Sequence, residues 1–148
     1  ILMDSDKDSE DAEKERMRSD GIPVFDWDRP NAFEEQCFTE ITLDAILAEI
    51  RIAIDEKSAD SVAAKLTNAG LQFVRDGDSI TFPSLSTEQR KMLGKIAKNC
   101  SWYKRIGLGE QFGNIVMSCM DSFGDNSAIK RNVNGLAEWV INDDETGT

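Results

Sequence analysis

Residues 42–57 read TLDAILAEIRIAIDEK. Leu43, Ile46, Leu47, Ile50 and Ile54 fall at helical spacing behind Thr42, whose hydroxyl suits an N-cap, so 43–57 is an amphipathic helix with one stripe to bury. Asp60 heads a shorter predicted helix in which Val62, Ala63, Leu66 and Ala69 share a face, and Gly70 stands where a left-handed C-cap would end it. Together the two form an αα corner.

Working outward, Leu71–Val74 and Ser79–Phe82 flank Arg75-Asp76-Gly77-Asp78. An Asp-Gly pair between β-prone runs signals a hairpin, because both residues tolerate positive φ, and this is the only predicted sheet. Pro83 ends the second strand, and Ser86-Thr87-Glu88-Gln89 is a capping box opening a helix over 87–99, with Met92, Leu93, Ile96 and Ala97 inward. Gly107 and Gly109 read as a break. After it Phe112, Ile115, Val116, Cys119, Met120 and Phe123 keep helical spacing up to Gly124, a candidate C-cap for the central helix. Asn126 or Ser127 starts a last helix whose stripe is Ile129, Val133, Leu136 and Val140.

Toward the N-terminus, residues 4–20 are charged, with Met17 as the only large apolar side chain, which suits a disordered or frayed-helix tail. The next stretch, with Pro23 and Pro30 among Val24, Phe25, Trp27 and Phe33, reads as an irregular segment laid on the domain. The expected organisation is therefore a disordered acidic tail at 1–22, an irregular packed segment at 23–41, a helical interaction domain at 42–142 and a loose end at 143–148. The fold class is mainly α: a compact bundle of about five helices with one short β-hairpin. A start at Ile1 with Met3 just behind suggests a piece of a longer protein.

Composition narrows the chemistry. The chain has no histidine, the side chain that most often serves as general base, metal ligand and pH switch. Cys37, Cys100 and Cys119 are odd in number and far apart, with no Cys-x-x-Cys spacing, which points to neither a disulfide framework nor zinc and fits an intracellular, reducing compartment. Nothing approaches the roughly 20 apolar residues of a membrane span, and no signal peptide is visible. A net charge of −11 disfavours direct nucleic acid binding.

The motifs are weak for catalysis or cofactors. Asp4, Asp6, Asp8 and Glu15 match part of a calcium loop, but Ser9 replaces its turn glycine and Asp11 its apolar residue. Turn chemistry accounts for Asp76 and Asp78, and Asp26 and Asp28 suit local hydrogen bonding. Gly107-Leu108-Gly109 lacks the strand and third glycine of a dinucleotide loop. Cys119 sits on an apolar face; Cys100 has Lys98, Lys104 and Arg105 nearby but no base. The expectation is no enzyme, no catalytic residue, no metal and no cofactor.

Charge asymmetry stands out instead. Residues 86–105 hold Arg90, Lys91, Lys95, Lys98, Lys104 and Arg105 against Glu88 alone, a local +5 that leaves −16 for the rest. Lys91, Lys95 and Lys98 share a helix face, and Trp102-Tyr103 follow. These eight basic and aromatic residues form a candidate partner-binding set for a protein with an acidic segment. The competing reading is a solvated helix face with both aromatics in the core.

The element order, with Glu88-Gln89-Arg90-Lys91-Met92 leading to Ala97-Lys98-Asn99 in one helix, resembles the C-terminal domain of rhabdovirus phosphoproteins over roughly residues 40–145. That resemblance implies a non-catalytic adaptor tethering a viral polymerase to its nucleoprotein–RNA template through a basic and aromatic surface, in host cytoplasm or virion. The alternative is an acidic regulator binding a basic protein through Asp44, Glu49, Asp55, Glu56 and Asp60.

Overall fold

The computed structural model describes residues 2–3, 10–28 and 31–146. It is a helical bundle with one β-hairpin, as the periodicities require, and its centre is α3 (Leu43–Lys57). Thr42 caps this helix, its Oγ1 accepting from the Ala45 N–H at 3.2 Å, and Ala45, Ile46, Ile50, Ala53 and Ile54 are buried. α4 (Ala59–Asn68) follows without a linker. Ser58, rather than Asp60, makes the corner: its N–H donates to the Ile54 carbonyl and its Oγ accepts from the Ser61 N–H, so it ends one helix and caps the next. Its φ of +118° is rare outside glycine and stores local strain.

Gly70, at φ +75°, ends α4 in the expected way, with the Leu71 N–H reaching back to the Leu66 carbonyl. The hairpin pairs β3 (Val74–Asp76) with β4 (Ser79–Thr81), register Arg75↔Ile80. Its turn is Gly77-Asp78, not Asp76-Gly77: glycine takes the first turn position at φ +60°, where a II′ turn needs it.

The capping box at Ser86 and Gln89 is formed, with bonds of 3.2 and 2.8 Å, and α5 spans Thr87–Asn99. Its Gly94 lies against a helix that the sequence reading assigned to the irregular segment, α2 (Phe33–Glu40). A Cβ at Gly94 would stand 2.5 Å from the Glu35 Cα, so only glycine permits this approach. Gln36, Cys37 and Phe38 of α2 are buried. The correction has a physical cause, since α2 is short, has no side-chain cap and is held by packing more than by local signals.

Further corrections concern the ends. α6 (Ile106–Ser118) begins before both glycines; Gly107 and Gly109 lie in its first turn, where the Gly109 N–H already donates to the Arg105 carbonyl at 2.9 Å, and glycine's entropic cost of about 1 kcal/mol does not break the helix. The helix stops at Ser118 instead of reaching Gly124, and a 3₁₀ turn at Met120–Ser122 carries the same apolar stripe onward to buried Phe123. α7 (Ala128–Thr146) starts at Ser127, whose Oγ accepts from the Lys130 N–H at 3.0 Å, and continues past the expected boundary at 142.

Near the N-terminus, residues 4–9 lie outside the described residues, but α1 (Asp11–Ser19) is a helix, with Lys14 buried against Asp26 at 3.5 Å. A second small sheet, not foreseen, pairs β1 (Leu2–Met3) in parallel with β2 (Phe25–Asp26). One aromatic series ties these layers together: Trp27 to Phe33 at 5.2 Å, Phe33 to Phe112 at 5.8 Å and Phe112 to Tyr103 at 4.5 Å between centroids.

Candidate protein-binding surfaces

The eight residues of the basic and aromatic set do not share a surface. Trp102 is 1% exposed and Tyr103 8%, and the Tyr103 hydroxyl donates to the Glu49 carbonyl at 2.7 Å. The cause is the end of α5. Ser101 takes a left-handed φ of +55°, the Ser101 and Trp102 N–H groups bond back to Lys98 and Ala97, and this Schellman arrangement folds the following apolar residue onto the helix. Both aromatics therefore belong to the core, not the contact set.

Two arginines are also engaged. Arg90 donates to the Ile41 carbonyl, holding the α2–α3 connection, and Arg105 grips Glu56 at 2.9 and 3.1 Å. That leaves Lys91, Lys95 and Lys98 along α5 and Lys104 just beyond it, with Lys95 and Lys104 exposed and Lys91 and Lys98 half-buried. Lys91, Lys95 and Lys104 form no ion pair with a described residue. Exposed Met92 adjoins Lys95 on the helix and offers an adaptable apolar contact.

The acidic face fares differently. Asp55 pairs with Arg51 at 3.3 Å, Glu56 with Arg105, and Asp60 with Arg75 at 2.7 Å. Glu49 is not on the surface at all. It is 0% exposed in the middle of the α3 stripe, and neither carboxyl oxygen has a hydrogen-bond partner. Burial, with the nearby Cys119 sulfur, pushes its pKa up to about 9, so it is a neutral acid at pH 7. The helical wheel could have revealed it, three residues after Ile46 and four before Ala53, both buried.

Among the described residues, no thiol beside it is paired with a base. Cys37 is buried, and burial together with Glu49, Glu34 and Glu40 pushes its thiol well up, away from the thiolate needed for attack. Cys119 is buried with its sulfur 3.9 Å from the Thr42 hydroxyl; Cys100 is half-buried. Of the calcium-loop residues, Asp4, Asp6 and Asp8 lie outside the described residues and Glu15 binds Arg18 at 2.9 Å. Asp26 receives Lys14 and Arg18, while the Asp28 N–H is bound by Gln36. Among the described residues no cluster could hold a metal ion, and no helix is long and apolar enough to cross a membrane.

A second surface escaped the sequence reading. Between α6 and α7 runs a groove of about 140 Å³, floored by Trp27 and Phe33 and walled by Val116 and Met117 on one side and Val133 and Leu136 on the other. A cavity of about 150 Å³ lined this way admits one aromatic ring. Beyond it α7 carries Trp139, Val140 and Ile141 into solvent, each about half exposed. The available signal was Val140, which extends the buried stripe one turn beyond the body. No protein-family model, curated protein or solved structure matches the chain.

Proposed function

We propose that the chain is a non-catalytic adaptor that captures an acidic protein segment on the lysine face of α5. One observation carries this reading: Asp55, Glu56 and Asp60 pair with arginines and Glu49 is buried, which leaves exposed Asp44 alone of that set, whereas Lys91, Lys95 and Lys104 all form no ion pair with a described residue. Unpaired exposed charge costs little to bring to a partner and steers its approach, particularly where the rest of the chain repels acids. The resemblance to rhabdovirus phosphoproteins adds a specific partner to the proposal, a nucleoprotein on its RNA template.

The test is titration of a labelled acidic peptide with the full chain, at low and high salt, against Lys95→Glu/Lys104→Glu and an Asp44→Lys control. Binding should weaken by about tenfold or more in the lysine variant and fall with salt, because exposed pairs are screened within about 10 Å at 0.1 M. The Asp44 variant should bind as well as the parent. Indifference to the lysines, with binding of a basic protein that Asp44→Lys abolishes, would sink the adaptor reading and move function to the acidic face.

A further inference from the structure

Three features meet where α6 packs on α3. α6 is weakly built: Arg105 gives it no side-chain cap, its 13 residues include Gly107, Gly109 and Gly113, which disfavour helix, and of its side chains only Phe112 and Val116 are buried. The chain on either side of α6 meets Glu49. Before the helix, the Tyr103 hydroxyl donates to the Glu49 carbonyl at 2.7 Å, and after it the Cys119 sulfur lies close enough to act on the Glu49 charge. The Glu49 carboxyl itself is fully buried, with no hydrogen-bond partner on either oxygen. The titratable groups around it are neutral or acidic: Cys119, Tyr103 and Cys37 of α2, with Glu34 and Glu40 acting on the Cys37 thiol. α4 and β4, also packed on α3, bury only apolar side chains, and the charged residues of α4 and α6, Asp60, Lys65 and Glu110, stand in solvent. A carboxylate in this place would have neither a donor nor a cation to offset its lost hydration.

We infer that α6 is a proton-linked flap: Glu49 keeps its proton while α6 is seated on α3 and releases it when α6 lifts, so rising pH opens the flap and uncovers Cys119. α6 is the partner that moves, because α3 is capped by Thr42, closed by Ser58 and held by α4 and the hairpin as well. A solvated glutamic acid ionises near pH 4.3, whereas the seated one holds its proton up to about 9. The closed state is therefore fully favoured below the lower value and gives way as pH rises toward the upper. Between the two, opening releases one proton, and its equilibrium constant rises about tenfold per pH unit.

Amide hydrogen exchange of the full chain between about pH 6 and about pH 8, where reclosing outpaces exchange, tests this. Any opened amide exchanges about tenfold faster per pH unit through its own base catalysis; an α6 amide should quicken about a hundredfold, because its opening also becomes about tenfold easier. α6 should exchange faster than α3, the mark of a local opening rather than unfolding of the whole chain. In Glu49→Gln the α6 dependence should fall to about tenfold. In Cys119→Ser it should stay near a hundredfold, since a solvated thiol ionises only near pH 8.5 and a phenol near about 10. An ordinary tenfold dependence of α6 in the parent chain overturns the proposal, and that result needs no variant to fold. So does α6 exchanging no faster than α3, or a steep dependence that survives Glu49→Gln.

Discussion

α5 and α7 both begin at a serine whose hydroxyl caps the first turn, and both carry a clear apolar stripe, but only α5 is enclosed along its length. Gly94 lets the α2 backbone close on α5, Leu93 and Ala97 are buried, and Trp102 folds back over the helix end. α7 has its own close approach at Gly135, where Phe25 packs, yet every residue from Ala137 to Asn142 is exposed. The difference shows that an apolar stripe states that a face needs cover and does not state what covers it.

The contrast can be broken most forcefully at the closed end. Trp102→Ala should cost about 3–5 kcal/mol, the range for removing a buried aromatic ring, measured as a lower denaturant midpoint. A cost under about 1 kcal/mol would return Trp102 to the surface set.

Next comes the buried acid beneath Tyr103. Glu49 binds its proton more tightly in the folded chain, with a pKa of about 9, than in the unfolded one at about 4.3, so its contribution is fully present below the unfolded value. It is lost as pH rises toward about 9, at up to about 1.4 kcal/mol per pH unit. Glu49→Gln should flatten that slope between pH about 5 and about 8 in denaturant melts. A slope identical to the parent's would show that Glu49 is not the titrating group.

The smallest effect belongs to the open end. Val140→Ser should change the stability of the dilute, single chain by no more than about 0.5 kcal/mol, because little apolar surface there leaves water on folding. A cost of about 2 kcal/mol would mean that the outer turn is already covered within one chain and would remove the contrast.

What the sequence disclosed follows the same division between local and tertiary causes. The α3 stripe behind Thr42 and the α5 box at Ser86 and Gln89 are written in neighbouring residues, and both helices appear where they were expected. α2 was hidden because its eight residues owe their order to an approach 59 positions along the chain, between Glu35 and Gly94. The basic set was half legible. Lysines on α5 could be counted, but the inward turn of Trp102 and Tyr103 depends on Ser101 adopting a conformation for which the usual signal is glycine. Glu49 reads as a surface acid by its charge, whereas its position between Ile46 and Ala53 on the α3 stripe places it inside. The α6/α7 groove depends on two helices far apart in sequence, and one extra valine was its only trace.

Ser58 makes the corner between α3 and α4 intolerant of added length. One residue closes α3 and opens α4, so no connecting segment exists in which length could vary. Inserting a single residue there would separate the bond that closes α3, Ser58 N–H to the Ile54 carbonyl, from the one that caps α4, Ser61 N–H to the Ser58 hydroxyl, and loosen the angle at which Val62 and Leu66 meet the core.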